Sequence, residues 1–288
     1  MVNWLSQRHR GRPSVALDVT LILVTGRGAL SSPTYSLAMN SPTPWTLSRE
    51  EFALEAVVTA KNGRVAVIIP AKNEAATVGA VLEAVKGVPG LVDELIVVDD
   101  SSSDDTAIVA ERHGATIIST EVSRGKGHAL ATGIRNSRAE YLVFLDADVT
   151  NTDPTFVPRL LQPLFARPDI ALVKGYYERP LLHMPTGGGR VNELAARPIL
   201  SLLYPGLGEV RQPLAGETAL RRSILDGIEL EPTYAVEIGL LIDVATTIGI
   251  DSIAQVDLGV RVHRNRPLEE LRPMAVQVLR CALERRKN

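Results

Sequence analysis

Short apolar runs alternate with segments of helical spacing from Arg64 onward, and this alternation constrains the fold more than any other feature of the chain. Val65–Ile69, Glu94–Val98, Ala115–Ser119 and the run beginning at Tyr141 read as strands. Ala75–Val85, Ala107–Arg112 and His128–Arg135 read as helices. In the first helix Val78, Val81, Leu82 and Val85 share one face. The βαβαβαβ order predicts a mostly parallel sheet covered on both faces, with ligands beyond the carboxyl ends of its strands. Past residue 150 the pattern is less regular. A strand at Ile170–Lys174, a helix from Val191 to Leu203, a strand-like segment at Leu214–Leu220, a helix at Val236–Ile248, a strand at Ile253–Arg261 and a last helix at Leu268–Arg286 are expected. No internal repeat or low-complexity linker separates the halves, so one continuous sheet is expected to serve both.

An apolar fraction of 45% in 288 residues supports a substantial core. The 31 basic and 33 acidic residues nearly balance, which argues against a broad nucleic-acid surface. Cys281 is the one cysteine, so an internal disulfide framework is excluded and a reducing, cytoplasmic setting is expected. Val15–Val24, interrupted by Asp18, falls short of the roughly 20 apolar residues that span a bilayer. Residues 1–44 read as an N-terminal extension, with Met39 the expected start of the protein. Ser48 and Glu51 read as a helix capping box.

Several groups of residues carry chemistry. Asp146 and Asp148 end the strand from Tyr141, and residues two apart on a strand point the same way. Such carboxylates suit magnesium or manganese carrying a diphosphate; a solvated loop accounts for them equally. Pro70-Ala-Lys-Asn-Glu74 follows the first strand, where Pro70 is expected to stop the ladder and the turn can hold a nucleobase. An ordinary loop with Asn73 as helix cap is the competing reading. Asp100 can bind ribose, while Ser103 and Asp104 can cap the next helix. Lys126, between two glycines ahead of a helix, can reach a diphosphate. The Walker spacing and the dinucleotide glycine fingerprint are both absent. Gly187–Gly189 with Arg190 opens a helix and makes an anion site, against the alternative of a loop with a solvated arginine. Glu237 starts an apolar helix, where dipole electrostatics alone explains a carboxylate.

The succession Pro70-Ala-Lys-Asn-Glu74, Val98-Asp-Asp-Ser-Ser-Ser-Asp-Asp-Thr106, Arg124-Gly-Lys-Gly127 and Asp146-Ala-Asp148 resembles the nucleotide-sugar half of GT-A glycosyltransferases. The stretches Thr186–Pro198, Tyr234–Asp243 and Gly259–Leu268 resemble the retaining glucosyl-3-phosphoglycerate synthase family of the actinobacterial type. The resemblance spans roughly Trp45 to Leu279. It implies an α/β GT-A fold, with a Rossmann-like nucleotide-sugar half over residues 64–150, a smaller acceptor half over 151–279 and a C-terminal tail at 280–288. It implies glucose transfer from UDP-glucose to the 2-hydroxyl of 3-phosphoglycerate, with Mg2+ or Mn2+ and a homodimer.

By the same resemblance, Asp146, Asp148 and His263 surround the metal, with Asp148 and His263 as direct ligands. Pro70, Ala71, Lys72, Glu74, Asp100, Lys126, Asp146 and Ala147 hold the donor. Gly188, Gly189, Arg190, Asn192, Arg264 and Asn265 hold the acceptor, and Glu237, Lys126 and Asp148 are the catalytic set. Asn192 stands where the family has threonine, and Asp100 where it has serine. An exposed polar loop also accounts for His263 between arginines. Mannosyl transfer from GDP-mannose, transfer to a polyprenyl phosphate and nucleotide-sugar binding without catalysis are the other readings. The first leaves the motifs unchanged. The second normally brings hydrophobic or basic amphipathic helices, which are not evident.

Overall fold

The β-branched runs become strands and the amphipathic segments the helices that cover them. The computed structural model describes residues 43–181, 184–187, 189–261 and 267–286. The first half runs β1 (Trp45–Leu47), α1 (Leu54–Ala60), β2 (Val65–Ala71), α2 (Val78–Lys86), β3 (Glu94–Asp99), α3 (Thr106–Arg112), β4 (Thr116–Ser119), α4 (Lys126–Arg135) and β5 (Tyr141–Phe144). It continues through α5 (Phe156–Ala166), β6 (Leu172–Glu178), β7 (Pro180–Leu181), β8 (Met184–Gly187), a π-helical turn (Asn192–Ala196) that runs into α6 (Arg197–Leu203), β9 (Thr218–Arg221), α7 (Val236–Thr247), β10 (Ile253–Val260) and α8 (Leu268–Arg285). The expected N-terminal extension and start at Met39 lie outside the described residues, as do Gly188, His263, Arg264 and Asn265.

Eight strands form one sheet in the order β1-β10-β6-β9-β5-β2-β3-β4, and β7 pairs with β8 separately. Neighbours are parallel except β9, which runs antiparallel to both β5 and β6. Alternation along β2 feeds two buried layers. Val65, Val67 and Ile69 meet α2 and α5, while Ala66 and Ile68 face the layer built from α4, α6, α7 and α8. Each fully buried Val, Leu or Ile contributes about 1.5–3 kcal/mol, and such side chains fill both layers.

This topology places the site. With β3 on one side of β2 and β5 on the other, the connections diverge and open a crevice at the carboxyl ends of β2 and β5. The reversed strand β9 begins at that same edge, since Thr218 pairs with Phe144 of β5 and with Lys174 of β6. Residues just before β9 therefore arrive beside residues just after β5.

Three expectations are corrected. Pro70 does not stop the ladder: β2 continues to Ala71, whose carbonyl accepts from Asp100 N–H. Ile68 faces β5, as its bond from Leu145 N–H shows, so Pro70 also turns that way. Pairing with β5 has already ended at Phe144, and the missing N–H costs nothing. Ser48 and Glu51 make half a capping box, with Ser48 N–H donating to Glu51 Oε2 at 2.7 Å. That turn precedes α1 without opening it, because the helix starts only at Leu54. The boundary at residue 279 falls inside α8, so 280–288 is not simply a tail. Cys281 and Ala282 are buried, Tyr204 donates to Ala282 O at 2.7 Å, and Arg285 grips Asp243 of α7 through two bonds of 2.9 and 3.0 Å.

Ending the chain after Leu279 is accordingly expected to destabilise the fold by about 2–5 kcal/mol, the range for deleting buried side chains. A urea titration that leaves the midpoint unchanged would restore the tail reading.

Candidate active site

The crevice is a cavity of about 530 Å³. Pro70 and Ala71 at the end of β2, Lys72 and Glu74 just after it, Asp100 after β3, and Asp146, Ala147 and Asp148 after β5 line it. Lys126, Gly189, Arg190 and Asn192 line it as well. All the described residues expected to hold donor or acceptor are thus brought to one cavity.

Its electrostatic centre is Asp146. Lys126 Nζ lies 2.5 Å from Asp146 Oδ1, and Arg261 donates through Nη2 to Asp146 Oδ2 at 2.8 Å and to Asp148 Oδ1 at 3.0 Å. The aspartates converge on one guanidinium although β5 ends at Phe144, so the turn after the strand, and not strand periodicity, aligns them. Burial alone would raise the Asp146 pKa, but the charges of Lys126 and Arg261 outweigh it and hold the carboxyl well below the usual range. Lys126 shows the converse: burial pulls it down, and Asp146 and Glu237 more than offset this, leaving the ammonium more firmly protonated than an ordinary lysine. The turn packs tightly, because a Cβ on Gly216 would overlap the Asp146 carboxylate.

Glu237 sits in the first turn of α7 with its side chain 6% exposed, and Oε1 lies 2.5 Å from Lys126 Nζ. The described cavity lining does not include it, so in this structure it supports the lysine from behind. Lys126 has three donors: one bonds Asp146 Oδ1, Glu237 pairs with the ammonium by charge without a hydrogen bond to its Oε1, and donors remain for a ligand. The backbone at the start of α4 offers less than expected. Gly127 N–H donates to Thr233 O and His128 N–H to Pro232 O, so those amides are not open to an anion. The diphosphate contact expected of this region rests on the Lys126 side chain.

Other expected residues have structural partners as well. Asp100 is buried and accepts from Ser123 Oγ at 2.6 Å, Thr120 Oγ1 at 3.2 Å and Arg124 N–H at 3.3 Å. It pins the loop that delivers Lys126 and keeps one acceptor position free for a ribose. Asn73 does not cap α2, which starts at Val78. Its φ is 56°, and its side-chain oxygen accepts from Ser103 N–H, tying the turn after β2 to the loop after β3. Asn192 departs from the expected role as donor to an acceptor phosphate. Its amide donates to Arg211 O at 3.1 Å and Glu193 Oε1 at 2.9 Å, and its oxygen accepts from Leu214 N–H. It fastens the π-helical turn to the following loop.

No group of three His, Cys, Asp or Glu able to hold a metal occurs among the described residues. The donor chemistry nevertheless fits magnesium or manganese. Asp148 keeps a side chain 35% exposed on the cavity wall, and such ions take one or two carboxylates with the remaining positions filled by water and phosphate oxygens. Asp146, with a cation on each oxygen, fits as an anchor.

Sequence reasoning missed Arg261, Glu217, Tyr177, Lys174 and Arg179. Arg261 follows β10, and its Nη1 meets Glu217 Oε1 at 2.8 Å and Tyr177 Oη at 2.8 Å. Alternation supplied a signal for Glu217, which is spaced by two from Ala215 and Ala219, both buried in one core layer. Lys174, 2% exposed, donates to Ala215 O at 2.6 Å and Thr218 Oγ1 at 2.9 Å. Arg179 lines the cavity beside Gly189, donates to Tyr177 Oη at 2.6 Å, and buries an Nε that has no hydrogen-bond partner among the described residues.

The profile of glycosyl transferase family 2 matches residues 66–181. A glucosyl-3-phosphoglycerate synthase from Mycobacterium tuberculosis is 46% identical over 260 residues, covering 85% of this chain and 80% of the relative. A crystal structure of the Mycobacterium tuberculosis enzyme with Mn2+, UDP-glucose and phosphoglyceric acid superposes with a TM-score of 0.79 at 44% identity, covering 86% of this chain and 89% of the other. Another, with Mg2+ and UDP, gives 0.78 at 44% identity over 85% and 87%.

Lys174 yields a pH signature. Burial, only partly opposed by Glu237, lowers its pKa from 10.5 to about 8. Between those values the unfolded chain binds a proton that the folded state does not, so stability rises with pH across that window. Relative to Lys174→Met, the parent protein is expected to gain stability from about pH 8 to 10.5 in parallel denaturant titrations. A constant difference would contradict the assignment.

Proposed function

The chain belongs to the glucosyl-3-phosphoglycerate synthases, and from that membership we propose that it transfers glucose from UDP-glucose to the 2-hydroxyl of 3-phosphoglycerate with retention of configuration. The observation that carries this reading is Lys126, held between Asp146 and Glu237 at a cavity that Arg179 and Arg190 also line. That arrangement suits a diphosphate donor at the strand ends and a small anionic acceptor at the glycine turn. Asp148, together with His263, would hold Mg2+ or Mn2+, which supplies charge neutralisation to the leaving diphosphate.

The chain's own residues perform the remaining work. Pro70, Ala71, Lys72 and Glu74 receive the uridine, and Asp100 the ribose. Lys126 meets the diphosphate with a donor not bonded to Asp146 and stabilises the negative charge that grows as the bond from glucose C1 to phosphate oxygen breaks. Arg190 and Arg179 hold the acceptor's phosphate and carboxylate, so that its 2-hydroxyl reaches C1 from the face the phosphate leaves. As the new C1–O bond forms, the hydroxyl proton passes to the departing phosphate oxygen. Glu237 positions Lys126 and is not needed as a nucleophile.

Among the described residues no helix is long and apolar enough to cross a membrane. A homodimer acting in the cytoplasm completes the proposal. Leu194 and Leu202 on the α6 side and Val276 and Leu283 on α8 are exposed apolar side chains that a second copy would cover.

With UDP-glucose, Mg2+ and 3-phosphoglycerate, purified protein is expected to release UDP only when the acceptor is present, and release is expected to vanish in Asp148→Ala. GDP-mannose run in parallel ranks the donors, and release from neither would overturn the assignment. Arg179→Met is expected to raise KM for 3-phosphoglycerate by about 10- to 100-fold, the loss of one charge-assisted hydrogen bond. KM for UDP-glucose should stay near the parental value in the same steady-state series.

A further inference from the structure

Glu217 takes no part in the chemistry above, yet its side chain is 1% exposed directly behind the aspartates. A carboxylate buried this deeply costs several kcal/mol to desolvate, and a buried ion pair is weak ground for stability in itself. Its partner indicates a different role. Arg261, 4% exposed, presents a rigid planar fork with two edges in use. Nη1 is fixed by Glu217, at 2.8 Å from Oε1 and 3.0 Å from Oε2, and by Tyr177 Oη at 2.8 Å, with the Tyr177 ring centroid 5.2 Å from the guanidinium carbon. Nη2 spans Asp146 Oδ2 and Asp148 Oδ1. The backbone is pinned too, since Arg261 N–H donates to Glu178 O at 3.0 Å. With one edge and the backbone fixed, the direction of the other edge is determined.

We propose that Glu217 is a positioning residue for the metal–nucleotide complex: by holding one edge of Arg261 it aims the other at Asp146 and Asp148 and sets how those carboxylates meet the ion. It also draws on the charge of Arg261, which otherwise falls wholly on the aspartates and competes with a divalent cation for Asp148. Both effects have the same sign, so removing the carboxylate weakens metal binding. The inference rests on the metal-dependent donor binding proposed above, and its test separates the two.

Binding of Mn2+ in the presence of UDP, followed by the electron paramagnetic resonance of the free ion, is measured on the parent, Glu217→Gln and Arg261→Lys. Circular dichroism confirms the fold of each variant. Glu217→Gln keeps the shape and removes the charge; Arg261→Lys keeps the charge and removes the fork. Outer partners of metal ligands typically contribute 10- to 100-fold in affinity, and each variant is expected to weaken Mn2+ binding by about that factor. KM for UDP-glucose should rise in step while KM for 3-phosphoglycerate holds, a split that general loosening of the core would not give. Parental Mn2+ affinity in either folded variant overturns the proposal. Failure of the parent itself to bind Mn2+ with UDP overturns the metal-dependent reading beneath it.

Discussion

The site depends on one carboxylate. Asp146 accepts a cation on each oxygen, Lys126 from the start of α4 and Arg261 from the end of β10. Through it, two elements far apart in sequence are fixed against β5. Beyond them stand Glu237 and Glu217, each buried against one of those cations. In a low-dielectric setting such a chain of alternating charges is held more firmly than surface pairs, and an incomplete one carries a heavy desolvation cost. What the cluster leaves toward the cavity is Asp148 and the donors of Lys126 that Asp146 does not take. The architecture therefore makes binding capacity a remainder of internal neutralisation.

Much of the fold was legible because periodicity reports burial. The run from Val65, the valine face of α2 and the apolar α7 follow from spacing alone, and the parallel order follows from their alternation. The reversal of β9 was not legible. Leu214–Leu220 reads as a strand of unspecified direction, and direction is set by long-range pairing with β5 and β6. Glu217 was hidden for the same reason, since its value comes from arriving at the carboxyl edge by an antiparallel route.

Within the site, residue type was a better guide than residue role. Asp100 and Asn192 line the cavity and Glu237 stands behind Lys126, yet each has polar or charged partners inside the protein. A sequence shows a polar group near a turn but not whether its lone pairs are already in use. Arg261 is the opposite case. It stands in the stretch Gly259–Leu268 beside His263, and only its burial between three carboxylates distinguishes it from a solvated strand end.

The separation of Asp146 from Arg261 along the chain has a temporal consequence. They lie 115 residues apart, and Thr46 on β1 meets Gln255 on β10 across 209. At about 5–20 residues per second, the carboxylate is synthesised on the order of ten seconds before the guanidinium that balances it. β2, β3 and β5 can pair in that interval, but the edge of the sheet that carries the chemistry holds an unmatched charge until β10 arrives. During biosynthesis the charge cluster at the carboxyl edge is thus completed late, when β10 joins the sheet, and the packing of α8 follows it.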